Sequence, residues 1–163
     1  MALAGWRNGA LAQSTLDFGD APDPPYPTLL SSDGARHLLV PGIFLGSAEN
    51  AEPDGQPNAT ATGDDNRPGT EENGVRFLSP VRPGQLALLE VIASINGLLN
   101  AWIDFDQAGA WAQAGEQVFT NRLLTAGTNT LRFLVPPTAS TGGTFGRFRF
   151  STAANLSFTG AAA

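Results

Sequence analysis

From Val75 onward, short apolar runs alternate with turn residues, the pattern of an antiparallel sheet structure rather than of helices. Strands are expected near residues 75–78, 86–95, 99–104, 117–120, 129–135 and 145–151. In the last of these, Phe148 and Phe150 alternate with Arg147 and Arg149. A period of two puts the rings on one face and the guanidinium groups on the other, and the aromatic face is expected to be core. The run over residues 86–95 does not alternate, because both of its faces are largely apolar. Such a strand is either central and covered on both sides by loops, or it turns one face toward another subunit.

The first half reads differently. A short strand at residues 15–18 leads into a loop rich in Asp, Pro and Gly, and residues 36–45 are strand-like but broken by Pro41-Gly42. Residues 47–74 are polar, carry Glu49, Glu52, Asp54, Asp64, Asp65, Glu71 and Glu72, and show no apolar period. A stretch this long inside a compact domain is expected to be ordered by a ligand or ion. Residues 1–14 hold Ala10-Leu11-Ala12, the small-residue spacing of a signal-peptidase site, although Arg7 and Asn8 interrupt the preceding run. They are read as a signal-peptide remnant or an N-terminal arm, and residues 15–163 as one domain.

Composition narrows the classes. The 19 glycines and 12 prolines leave no room for a long helix, and no run approaches the ~20 apolar residues of a membrane span. Net charge is -6, lysine is absent, and the nine arginines are scattered, so the clustered basic face that nucleic acid requires is missing. Most of the acids lie between Asp17 and Glu72, where only Arg36 and Arg67 are positive; such a field attracts divalent cations. With no cysteine, disulfides and thiolate chemistry are excluded. The single histidine, His37, cannot form a multi-histidine metal site and is expected to hydrogen-bond Arg36 or a loop carboxylate.

Several motifs follow one another in order: Thr15-Leu-Asp-Phe-Gly-Asp-Ala-Pro-Asp23, Gly34-Ala-Arg-His37, Asp54-Gly-Gln-Pro57, Gly63-Asp-Asp65 and Glu71-Glu-Asn-Gly-Val75 in the first half. Asn100-Ala-Trp-Ile-Asp-Phe-Asp106, Gly115-Glu116, Ala126-Gly-Thr-Asn129 and Phe145-Gly-Arg-Phe-Arg-Phe-Ser151 continue the series. Taken together over residues 15–162 they resemble the GEVED domain. The resemblance implies a module of secreted bacterial proteins with a structural or adhesive role. Two departures accompany it. The Gly-Glu-Val-Glu-Asp stretch that names the family would begin where this chain stops, so a final strand is expected to be missing. The family's calcium-loop pattern, Asp-x-Asn-x-Asp-Gly, is kept at Asp104, Asp106 and Gly109 but has Ala108 in place of its third acid.

Calcium takes six to eight oxygen ligands, which suits clustered acids in glycine-rich loops. The candidate ligands are Asp20, Asp54, Asp64, Asp65, Glu71 and Glu72, with Asp104, Asp106 and Glu116 as a second group. The alternative for each is a solvated loop with Asx turns. A carboxylate pair drawn from the second group could also hydrolyse glycosides, but no aromatic groove accompanies it. Trp102 and Trp111 are either stacking platforms for sugars or core.

The expectation is therefore an all-β protein, an antiparallel β-sandwich of Greek-key or jelly-roll type with long acidic loops in its first half. It is expected to be an extracellular, non-enzymatic structural or adhesive module of a bacterial surface, partnered by copies of itself or by neighbouring modules. Leu3, Trp6, Leu11 and Leu16 of the arm would fill an open groove in a neighbour and build a filament. The alternative is a calcium-dependent carbohydrate-binding module.

Overall fold

A computed structural model describes residues 15–48, 51–63 and 74–162. Its strands are β1 (Leu16–Phe18), β2 (Arg36–Leu38), β3 (Val75–Phe77), β4 (Leu86–Ala93), β5 (Gly97–Ile103), β6 (Gln117–Leu124), β7 (Gly127–Leu134), β8 (Gly146–Ser151) and β9 (Ala161–Ala162). The only helical element among the described residues is a 3-10 turn at Leu30–Ser32. The protein is all-β, as the apolar pattern predicts.

Two three-stranded antiparallel sheets, ordered β3-β4-β7 and β6-β5-β8, face each other. Pairing of β4 with β7 around the β5–β6 hairpin gives the nested connections of a Greek-key sandwich. Between the sheets lie Leu89 and Val91 from β4, Leu99 and Ile103 from β5, Phe119 and Leu124 from β6, Leu131 and Phe133 from β7, and Phe150 from β8. Phe150 lies so close to Gly97 that a Cβ there would sit 2.5 Å from the ring, so only glycine opens β5.

A third layer covers the outer face of β6-β5-β8. It consists of first-half loops and a small sheet, β1-β2-β9, in which β9 runs parallel to β2. This layer explains why β5 is buried on both faces. Asn100, fully buried, bridges a bulge in the β5–β6 pairing: its Oδ1 accepts the Asn121 N–H at 3.0 Å, and Asn121 takes a left-handed backbone.

The third layer also corrects the expected role of the arginines. Arg147 and Arg149 do leave the aromatic face, but the opposite face is not open, and both are buried. Arg149 uses all five of its N–H groups. Nε donates to His37 Nε2 at 3.0 Å, Nη1 to the carbonyls of Ser157 (2.6 Å) and Thr159 (2.8 Å), and Nη2 to those of Arg36 (3.1 Å) and Gly160 (3.0 Å). Arg147 donates to the carbonyls of Pro27 (2.6 Å) and Phe158 (2.7 Å) and to Thr28 Oγ1 (3.0 Å), with its guanidinium carbon 4.3 Å from the Trp111 ring centre. Burial lowers both guanidinium groups, Arg147 to about 9 and Arg149 to about 10, which leaves them cationic at neutral pH.

Three further expectations change. His37 bonds neither Arg36 nor a carboxylate through its Nε2; burial and the Arg149 charge hold it neutral, with its pKa depressed to about 3. Leu16 is not part of a free arm, because it pairs with Leu38 in β1–β2 and its carbonyl accepts the Glu52 N–H. The outer face of β4 is open at its start, where Leu86 and Leu88 are exposed beside exposed Leu134, while Leu45 extends the strand's edge by a bridge to Ala93. Over residues 51–63 the long polar stretch is braced by hydrogen bonds: Asn58 Oδ1 accepts the N–H groups of Thr60 and Thr62, and the Gly63 N–H reaches Asp20.

Replacing Arg149 by Met should destabilise the fold by at least ~3 kcal/mol, since four carbonyls lose their donors together. Lys should recover little of the loss, because it lacks the planar fork. Chemical denaturation midpoints measure both. The depressed His37 pKa also fixes a sign. The unfolded chain takes up this proton below about 6.5 and the folded chain only near 3, so stability is full above pH 6.5 and falls as the pH drops through that window. The acid limb of the stability curve should flatten in His37→Gln.

Candidate cation site

β5 ends at Ile103 in the middle sheet, and the turn that follows carries its carboxylates back beneath the third layer. Gln107 and Gly109 both have positive φ, 60° and 79°, which reverses the chain within five residues of Asp104. Asp104 is fully buried. Its Oδ2 accepts the Tyr26 hydroxyl at 2.5 Å and the Gly109 N–H at 2.9 Å, and its Oδ1 accepts the Ala108 N–H at 3.1 Å. Asp106, exposed at the mouth of the turn, also accepts the Ala108 N–H, at 2.9 Å.

Glu116 completes the group from just before β6, held in place as the Ile103 N–H donates to its carbonyl at 2.9 Å. Its side chain is 3% exposed; Oε2 accepts the Gln113 N–H at 3.2 Å, whereas Oε1 is buried without a donor. Ligand oxygens from Asp104, Asp106 and Glu116 lie within 4.8 Å of one another, and no ion pair among the described residues joins any of them to an arginine.

Three carboxylates so close, two of them buried, shift one another. Burial works to raise Asp104, but the hydrogen bonds from Tyr26, Gly109 and Ala108 outweigh it and hold the group below the ordinary carboxylate range. At Glu116 burial, together with the charges of Asp104 and Asp106, outweighs the backbone N–H groups of Gln113 and Phe105 and raises it to about 7. Tyr26 is pushed well above its ordinary value by burial and by Asp104. A fixed carboxylate, a second beside it, and a buried carboxylate oxygen that no protein donor meets fit a hard cation: the ligand atoms are all oxygen and the charge is in excess. Ala108 contributes no side-chain oxygen, so the ligand set is short by one acid.

The remaining sequence candidates fall elsewhere. Asp54 Oδ1 accepts the N–H groups of Leu30 and Gly55 and so caps the 3-10 turn, while Asp20 Oδ2 accepts the Gly63 N–H. Both brace loops through these bonds, and neither belongs to the group formed by Asp104, Asp106 and Glu116. Asp64, Asp65, Glu71 and Glu72, like Leu3, Trp6 and Leu11, lie outside the described residues. Trp102 and Trp111 are corrected. Both are buried, Trp111 between the Tyr26 ring (4.4 Å, stacked) and the Arg147 guanidinium, so neither presents a face to a sugar. Tyr26 is the residue that sequence reasoning passed over, 78 positions away from the carboxylate it binds. Its place among Pro24, Pro25 and Pro27 marked a loop and nothing more.

The turn, its carboxylates and the arginine strand all lie in one segment that is recognisable by comparison. Residues 98–163 match the GEVED domain. The match contains Asp104, Asp106, Glu116, β5 from Leu98 onward and β6 to β9, whereas Tyr26 and the first-half motifs lie outside it. Searches of the curated proteins and of the solved structures returned no match.

Because Glu116 takes its proton more readily folded than unfolded, the protein without a cation loses stability as the pH rises from about 4.5 through 7, the opposite sense to His37. In chelator at pH 8, Glu116→Gln should therefore melt above the wild type and should show no response to calcium. Paired thermal melts of the two proteins at pH 5 and pH 8 measure it.

Proposed function

We propose that this chain is a non-enzymatic structural module of a bacterial surface whose GEVED segment is locked to its first half by a divalent cation, with calcium the fitting ion. The observation that carries the reading is the buried, donorless Glu116 Oε1 beside Asp104 and Asp106. Burial of Asp104 and Glu116 under Tyr26 speaks against a substrate reaching them and for an ion that holds loops together. A ligand set lacking one acid belongs with weak sites, on the order of 10⁻⁴–10⁻³ M, which fill where calcium is millimolar, as it is outside cells. When bound, the ion would supply charge neutralisation and nothing more. Asp104, Asp106 and Glu116 would hold it, while the Gly109, Ala108 and Gln113 N–H groups keep the carboxylates in place.

Assembly of copies is the second reading, and the edges of the sandwich favour it. β3 and β8 lie at the same side, each paired with one neighbour only, with the rings of Phe77 and Phe148 6.3 Å apart. Beside them runs a groove of about 440 Å³ of mixed character, its apolar part lined by Ile43, Leu45, Val75, Phe148 and Phe150 and its polar part by Asp17, His37 and Ser151. A strand of a second copy fits such a groove, and residues 1–14, with Leu3, Trp6 and Leu11, are its donor in this reading.

Calcium at 10 mM should raise the melting temperature by on the order of 5 °C, reversibly with chelator. A flat calorimetric titration together with an unmoved melt would sink the cation reading. For assembly, sizing chromatography and electron microscopy should show oligomers of the full chain that vanish when residues 1–14 are deleted; oligomers surviving the deletion would exclude that donor.

A further inference from the structure

We infer that Tyr26 is a positioning residue of the cation site, so that occupation of the site and docking of the first-half loop around it are one linked event. The inference rests on the cation reading above and adds a residue that lies outside the GEVED match.

The geometry separates two functions within this one side chain. The ring is held by packing: it stacks on Trp111 at 4.4 Å and lies 5.3 Å from Phe145, and the neighbouring Pro25 presses on Gly109, where a Cβ would come within 2.8 Å of the proline. The hydroxyl does something else. It donates to Asp104 Oδ2, which also receives the Gly109 N–H, so that two donors fill this oxygen's lone pairs and turn the remaining acceptor capacity of the carboxylate onto Oδ1. A second, independent sign that the cluster awaits a ligand is Glu116 Oε1, buried and without a donor across the same group. Tyr26 thus orients one carboxylate of a set in which another is left unsatisfied, the relation in which a hydrogen-bonding partner behind a ligand sets metal affinity.

Linkage then works in both directions. If the tyrosine hydroxyl strengthens cation binding, the cation must strengthen docking of the tyrosine by the same factor. The loop around it, residues 21–28, is tied to β8 of the middle sheet through the Arg147 bonds to Pro27 and Thr28. An ion of the class argued above would therefore close the loop over its own site.

Tyr26→Phe keeps the ring stack and removes only the hydroxyl. Calorimetric titration with calcium should give an affinity about 10–100-fold weaker than wild type, with the calcium-free melting temperature changed far less than the calcium-bound one. Amide hydrogen exchange on the unaltered protein supplies a measurement that needs no variant. Calcium should slow exchange in peptides covering residues 21–28 and leave the β6–β7 hairpin unchanged. Equal calcium affinity in Tyr26→Phe, or exchange at residues 21–28 that ignores calcium, would overturn this inference while leaving the cation site standing. Wild-type protein that binds no calcium would overturn both.

Discussion

Two guanidinium groups on one face of β8 hold the third layer against the middle sheet. Placing a cation inside a protein is costly unless every donor is met, and a carboxylate partner is the usual remedy. Here the remedy is backbone. Arg149 meets four carbonyls and a neutral imidazole, and Arg147 meets two carbonyls, a hydroxyl and an indole face. The carbonyls come from segments far apart in sequence, the first-half loops and the chain after β8. Irregular backbone can be buried only where its polar groups are satisfied, and the arginines satisfy them. That face of β8 acts together with the aromatic cluster of Tyr26, Trp102, Trp111 and Phe158, which also holds both segments on the middle sheet.

Against this frame the carboxylate group has a definite position. It lies where β5 leaves the middle sheet, with the third layer as its roof, and Tyr26 hangs from that roof. Positive charge is concentrated on β8 and negative charge in the turn, and Trp111 separates them, its ring touched by Arg147 on one side and Tyr26 on the other. Among the described residues, no ion pair joins the acids of the turn to an arginine.

Local periodicity made the sandwich legible. Strands β3 to β8 all announce themselves by apolar runs between turn residues, and the register of Phe148 and Phe150 toward the interior follows from alternation alone. The acidic turn at Asp104 and Asp106 was legible too, since spacing within a turn is a local property. Alternation could not say that the Arg147 and Arg149 face would be roofed over, because the roof comes from residues more than 100 positions earlier. The same limit applied to Tyr26, and to Asp20 and Asp54. A carboxylate that caps a backbone turn and one that awaits an ion look alike until their N–H neighbours are known.

The way β4 and β7 are married in register, Leu86 to Leu134 through Ala93 to Gly127, bears on where a boundary can be drawn. A cut before residue 98 keeps every strand of the middle sheet but takes from β7 its only partner and strips the roof from two tryptophans and two arginines. The recognisable segment is thus a signature whose outline cuts across the strand pairing of the described residues.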